Sequence, residues 1–226
     1  MPEAVNPIPD RRVYRSALRE EKARLTRQRI LEVARRSFVA HGYAATTVAQ
    51  IAIEAGVALD TVYATVGPKP VLFRLLLETS LSGTDEAVPA AQREYVQRIR
   101  GASTARGKLE LYAEAVRVIG ERLAPLHLVL RDAAALAPEL ARIHNEIAAR
   151  RARNMRLLAR DLAGTGELRP GLSVDEVADV VWTMNSPELF ALLVGERRWS
   201  ADRFQHWLVD TWCRLFLASP PDCRRS

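Results

Sequence analysis

Apolar residues recur along this chain at steps of three and four, with no alternating stretch of useful length, so the pattern predicts helices throughout and no sheet. Ile30, Ala34 and Phe38, with Leu31 beside them, form the inward stripe of a helix expected from about Leu25 to Ala40. Thr47 and Gln50 stand at capping-box spacing and open a second helix carrying Ile51 and Ala55. A third, short helix runs from about Leu59 to Val66. A fourth starts at Pro68-Lys69-Pro70, where proline is tolerated in a first turn, and ends near Ser82-Gly83. The stretch from Ala87 to Arg100 is weakly specified helix, followed by a break at Gly101-Ala102-Ser103-Thr104. Beyond it, Leu109, Tyr112, Val116, Ile119 and Leu123 mark an amphipathic helix, Leu126 to Leu136 a shorter one, and Glu139 to Ala163 a long one ended by Gly164. Ser173 and Glu176 make a second capping box ahead of Val177, Val180, Val181 and Met184. Pro187 kinks or restarts that helix, and Ser200 caps a final one.

The second and third helices carry the most specific signal. Gly56 follows Ala55 where a sharp turn requires positive φ, and Val57 and Val62 can close a small core from the far side. A short Gly-containing turn between two crossing helices is how a helix-turn-helix sets its second helix for the major groove. An ordinary helical hairpin inside an all-α core fits these residues too. The flanks extend the pattern: Thr26-Arg27-Gln28-Arg29-Ile30-Leu31-Glu32-Val33-Ala34-Arg35-Arg36-Ser37-Phe38 and His41-Gly42-Tyr43 upstream, and Tyr63-Ala64-Thr65-Val66-Gly67-Pro68-Lys69-Pro70-Val71-Leu72-Phe73 downstream. Together, Arg27 through Phe73 resemble the DNA-binding domain of the tetracycline-repressor (TetR) family of bacterial transcriptional regulators.

That resemblance implies an all-α chain: an N-terminal three-helix helix-turn-helix DNA-binding domain plus a C-terminal helical ligand-binding and dimerisation domain. The expected division is a flexible basic arm over 1–22, the DNA-binding domain over 23–70, the helical domain over 71–219 and a polar tail over 220–226. The implied function is a ligand-responsive transcriptional regulator, a repressor released from a palindromic operator by a small molecule. The alternative is a helical small-molecule-binding protein with a degenerate DNA-binding domain. The implied partners are a double-stranded DNA operator, a small-molecule effector of unknown identity and a second copy of the chain.

Composition adds limits. Nearly half of the 226 residues are apolar, enough for a sizeable core, and no apolar run reaches the length of a membrane span. With no signal-peptide pattern at the N-terminus, a cytoplasmic protein is expected, without a membrane partner. Cys213 and Cys223 have neither zinc-site nor disulfide-framework spacing. The net charge of +6 suits a polyanion partner, though solvated helix faces account for such a charge equally well. Its distribution says more: Arg11, Arg12, Arg15, Arg19, Lys22, Arg24, Arg27 and Arg29 crowd the entry to the first helix, as in an arm that contacts phosphates or the minor groove.

Candidate residues follow. The resemblance sets Tyr63 and Lys69 against phosphates and Thr47 and Thr61 as hydroxyl or amide contacts, while Ala58, Leu59 and Asp60 begin the reading helix. Lys69 opens a helix whose free amides already favour an anion. The sequence departs from the family where an aromatic is usual at Val66, an aromatic or His at Thr65 and a capping Ser at Pro68, so a leaner phosphate clamp is expected. The reading helix has no Arg, Asn or Gln for bidentate base contacts; Asp60 can accept from cytosine N4 and Ala58 or Leu59 can pack on a thymine methyl. By helical phase, Tyr112, His127, His144, Met155 and Trp182 are candidates for an effector cavity, or plain core. The wide apolar face of the last helices nominates Val181, Met184, Phe190, Val194, Phe204, Leu208, Trp212 and Leu215 for a dimer interface, with Trp207 alongside. There is no HExxH, GxSxG or phosphate-binding glycine loop, so no catalytic residue, metal or cofactor is expected. His127 and His144 can meet across neighbouring helices.

Overall fold

The structure, a computed structural model, describes residues 11–218, with side chains from residue 18 onward. Ten α-helices follow one another among the described residues: α1 Arg11–Ala45, α2 Val48–Ala55, α3 Leu59–Val66, α4 Lys69–Ser82, α5 Glu94–Gly101, α6 Ala105–Ala134, α7 Pro138–Ala163, α8 Val174–Met184, α9 Pro187–Phe190 and α10 Ala201–Phe216. A 3₁₀ turn over Ala90–Gln92 precedes α5, and a π turn over Ala191–Glu196 extends α9. The sole β feature among the described residues is one antiparallel bridge between Leu168 and Leu217.

The first helix starts at Arg11 rather than near Leu25, so the expected flexible arm is helical from that residue on. Prolines 2, 7 and 9 all precede Arg11, and the run after it is rich in Ala, Leu, Arg, Glu and Lys, good helix formers. Glu21 and Arg24 add an i,i+3 ion pair at 2.6 Å. Of the arm's basic residues, Arg19 and Lys22 are described and exposed; the side chains of Arg11, Arg12 and Arg15 lie outside the described ones. So does the expected tail, 220–226, with Cys223. At the far end Gly42 (φ 77°, ψ 173°) interrupts α1, and the Thr46 hydroxyl bridges the bend by donating to the carbonyls of Ser37 and Gly42.

Helix α6 joins what the pattern predicts as two helices. Pro125 lies within it and lacks an amide, yet Leu123, Ala124, Leu126, His127 and Leu130 are buried on either side, so packing holds the helix through the proline. Pro187 does restart the chain, under the cap of Ser186. Both predicted capping boxes form, at Thr47–Gln50 and Ser173–Glu176, and Ser200 caps α10.

Two apolar cores result. The first gathers Ile30, Phe38, Ile51, Val62, Leu72 and Phe73 and continues into Leu126, Leu130, Leu140 and Ile143, so the ends of α6 and α7 share the N-terminal core. The second packs Leu109, Tyr112, Met155, Val181, Phe190, Phe204 and Trp212 of α6 to α10. Gly120 of α6 lies so close to Phe190 that a Cβ there would overlap the ring.

Candidate DNA interface and ligand cavity

The turn between α2 and α3 is built by local chemistry. The Gln50 amide donates to the Thr47 hydroxyl at 3.2 Å, and the Thr47 amide donates back to Gln50 Oε1 at 3.1 Å. Gly56 takes the left-handed conformation (φ 64°, ψ 40°), and the next amide, Val57, closes onto the Ala52 carbonyl at 3.0 Å. Val48, Ile51, Ala52 and Ala55 face inward from α2, and Val62 and Val66 from α3. Arg27 reaches from α1 to the Thr65 carbonyl at 2.8 Å, fixing the end of α3.

These anchors leave one face of α3 open. Ala58, Leu59 and Asp60 are exposed, Thr61 is half-buried, and Tyr63 is 46% exposed rather than a core aromatic. Thr47 is exposed at its cap. Lys69, the first residue of α4, has its ammonium 4.3 Å above the Tyr43 ring and 3.4 Å from the Ala44 carbonyl. Partial burial lowers its pKa, with Glu139 acting in the opposite direction. Tyr43 stacks on Phe38 and donates to Glu139 of α7 at 3.4 Å, and burial pushes its phenol up to about 12. Pro68 provides no side-chain cap, and Val66 is a buried aliphatic.

The C-terminal body holds a cavity of about 100 Å³ between α6, α7 and α9, next to a more open chamber of about 620 Å³ under α5. Tyr95, Tyr112, Asn154 and Met155 line both. Tyr112, His127 and Met155 are brought together on the wall of the inner cavity. His144 is not on the wall but sits behind His127, ring centroids 5.6 Å apart. Trp182 is elsewhere: it borders a separate surface depression, and the guanidinium of Arg151 lies 4.3 Å from its ring centre. The Tyr112 hydroxyl donates to Met155 Sδ at 2.9 Å and accepts from Asn185, while burial raises its pKa. The ring stacks on Trp212 at 5.6 Å.

Arg93, Arg150 and Arg151 also line the cavity, and sequence reasoning missed all three. For Arg151 a signal existed: it stands four residues after Ile147 and four before Met155, so it falls on the inward stripe of α7. Arg93 stands before α5, at its N-cap and outside any helical stripe, and gave none. His127, His144 and Glu188 place ligand-type atoms within 4.8 Å of one another, the set best suited to a metal among the described residues. The His127 Nε2 proton is already engaged by Glu188 Oε1 at 2.9 Å, and this bond holds the Glu188 carboxyl down at about 2.

The cavity touches the helix that carries the DNA-binding domain. Leu81 of α4 is part of its wall, and Arg150 pairs with Glu78 of α4 at 2.8 Å. Arg74 of α4 pairs with Glu146 of α7 one turn away.

The expected dimer residues need correction. Val181, Phe190, Phe204, Leu208 and Trp212 are buried within the chain and offer nothing to a partner. In α10 the positions 204, 208, 212 and 216 face inward, leaving a second stripe, Trp207, Thr211 and Leu215, also four apart, at the outer margin, where Trp207 is half-buried against the same core. Leu215 is 40% exposed, and Met184 and Val194 are half-buried.

Comparison with known proteins agrees with this geometry. Residues 30–65 match the family described as bacterial regulatory proteins, tetR family. No curated protein matches the chain. Among solved structures, NalD of Pseudomonas aeruginosa, the secondary repressor of the MexAB-OprM multidrug efflux pump, is 22% identical, with 88% of this chain and 100% of that one covered and a TM-score of 0.69. FadR from Bacillus subtilis, a transcriptional regulator in complex with stearoyl-CoA, is 20% identical over 82% of this chain and 96% of its own, with a TM-score of 0.66. SmeT in complex with triclosan is 18% identical over 89% and 98%, with a TM-score of 0.67. The fold is therefore shared with these structures: an N-terminal helix-turn-helix domain followed by a helical C-terminal domain. The likeness to the tetR family's N-terminal model lies in residues 30–65, which span the end of α1, α2 and most of α3.

Proposed function

We propose that this protein is a ligand-responsive transcriptional repressor that binds a palindromic operator as a homodimer and is released when an effector enters the cavity of its helical body. The observation that carries this reading is α4, which begins at Lys69 just after the reading helix and reaches the cavity wall at Leu81, with Glu78 tied to Arg150 between them. An effector that displaces Arg150 or presses on Leu81 tilts α4 and with it α3, giving the two sites a shared element and hence a coupling free energy. NalD as a repressor, and FadR and SmeT with bound ligands, support the same reading by likeness of fold.

Tyr63, Lys69 and Thr47 hold phosphates in this scheme, and Ala58, Leu59, Asp60 and Thr61 face the groove. The outer stripe of α10, Trp207, Thr211 and Leu215, pairs with its symmetry mate beside α8, making a four-helix bundle. Two reading helices then stand about 34 Å or more apart, one DNA turn or longer. The low donor content of α3 favours one competing reading, a ligand-binding protein whose DNA domain has decayed. A duplex titration separates them: the repressor binds at low salt and loses affinity steeply as salt rises, and absence of any salt-sensitive binding leaves only the competing reading.

A further inference from the structure

The cavity wall has an unusual charge balance. Arg93, Arg150 and Arg151 line it, and no Asp or Glu does. Arg150 has a partner outside the wall in Glu78, and the nearby Glu188 is bonded to His127. Arg93 and Arg151 have no carboxylate within 4.0 Å among the described residues.

Their neutral contacts are thin. Arg93 is 7% exposed and gives Nε to the Val88 carbonyl at 3.0 Å and Nη1 to the Tyr95 hydroxyl at 3.5 Å. Arg151 rests on Trp182, and its buried Nε has no hydrogen-bond partner. A guanidinium cannot shed its charge at neutral pH, so burying one without a counter-ion is costly. Burial lowers the Arg151 pKa, with Glu188, beyond ion-pair distance, and Tyr112 acting in the opposite direction.

From this geometry we infer that the effector is an organic anion with an apolar body, its carboxylate or equivalent head held by Arg93 and Arg151 in the inner cavity. A planar carboxylate matches the guanidinium fork and can accept two parallel hydrogen bonds. The outer chamber, lined mainly by Pro89, Val96, Ile99, Leu157 and Leu158 and also by Arg100 and by Asp161, whose carboxylate pairs with Lys108 at 2.9 Å, takes the apolar remainder. A quaternary ammonium of the same shape meets three guanidinium groups and is rejected. The head group also competes with Glu78 for Arg150, which gives the anion a direct hold on α4. This inference rests on the effector reading of the cavity given above.

The test uses the full-length protein and matched amphiphiles below their micellar concentrations: decanoate, 1-decanol and decyltrimethylammonium, with hexanoate to dodecanoate and naphthoate to vary the body. Isothermal titration should give decanoate an affinity at least about tenfold above decanol, the worth of one charge-assisted hydrogen bond, and no binding of the ammonium. Arg151→Gln and Arg93→Gln should bring the carboxylate down to the alcohol's affinity without changing the alcohol, and Arg151→Lys should recover part of the difference. Should the variants not fold, the head-group series on the wild type decides alone. Equal or tighter binding of alcohol or ammonium, or no binding by any carboxylate, overturns the inference. Duplex release keeps the two readings apart. Carboxylates that bind yet leave DNA affinity unchanged defeat the effector role and keep the anion site. Alcohols that release DNA while carboxylates do not defeat the anion site and keep the effector role.

Discussion

Lys69 combines three features that a single substitution can separate. Its ammonium lies over Tyr43, contacts the Ala44 carbonyl and stands at the uncapped start of α4. The cation–π contact, half-buried, contributes about 0.5–1 kcal/mol to holding α4 against α1. The phosphate contact contributes one released counterion, about 0.9 in the slope of log affinity against log salt. Lys69→Met keeps a hydrocarbon chain on the Tyr43 ring and removes the charge; Lys69→Ala removes both. Anisotropy of a labelled duplex, titrated at several salt concentrations, should show the slope lowered by about 0.9 in both variants. Thermal unfolding should show Lys69→Met destabilised by less than about 1 kcal/mol and Lys69→Ala slightly more. Unchanged slopes in both, with weaker binding, would mean that Lys69 acts only through its packing on Tyr43, and the phosphate role would be refuted.

Other outcomes follow from the same geometry. Leu215→Glu, on the outer stripe of α10, should yield folded monomers in sedimentation, whereas Trp212→Ala, fully buried, should cost about 3–5 kcal/mol and act on folding; a dimeric Leu215→Glu protein defeats this interface. Gly120→Ala should destabilise by about 1–3 kcal/mol in denaturant unfolding, since the methyl group overlaps Phe190; an unchanged midpoint contradicts the close approach of α6 and α9. The Glu188 carboxyl, held at about 2 against an ordinary 4.5, contributes stability that is present above pH 4.5 and lost as pH falls through about 2. Because the side chain is 37% exposed, solvent screening reduces that contribution to about 1 kcal/mol. Comparing acid unfolding of wild type and Glu188→Gln checks it, and parallel curves down to pH 2 argue against the His127 bond.

The parts of the molecule that were legible in the sequence are those decided by a few adjacent residues. Thr47 with Gln50, Ser173 with Glu176 and the left-handed turn at Gly56 each need only local hydrogen bonds and backbone freedom, so spacing alone reveals them. What tertiary packing decides was hidden. The final helix carries two apolar stripes, 204/208/212/216 and 207/211/215, and only the position of α6 and α8 determines which is inside. Pro125 reads as a boundary until burial on both sides outweighs its missing amide. Prolines 2, 7 and 9 suggested an arm, although the helix formers after them carry α1 back to Arg11. In the cavity, Tyr112, His127 and Met155 were legible because inward phase suffices for them. Arg151 was passed over because a charged residue in an apolar stripe is ordinarily read as surface, and Arg93 because it stands at the N-cap of α5, outside any helical stripe.

The central claim is that two α3 helices, held apart by one dimer, read a symmetric operator. Its most direct test is selection of genomic DNA fragments by the purified full-length protein at moderate salt, followed by footprinting of the fragments retained. The retained fragments should form a small set sharing a palindrome, with half-sites centred about one helical turn or more apart, and Tyr63→Ala should lose retention. Retention of arbitrary fragments without a shared site, equally by wild type and Tyr63→Ala, would contradict the claim.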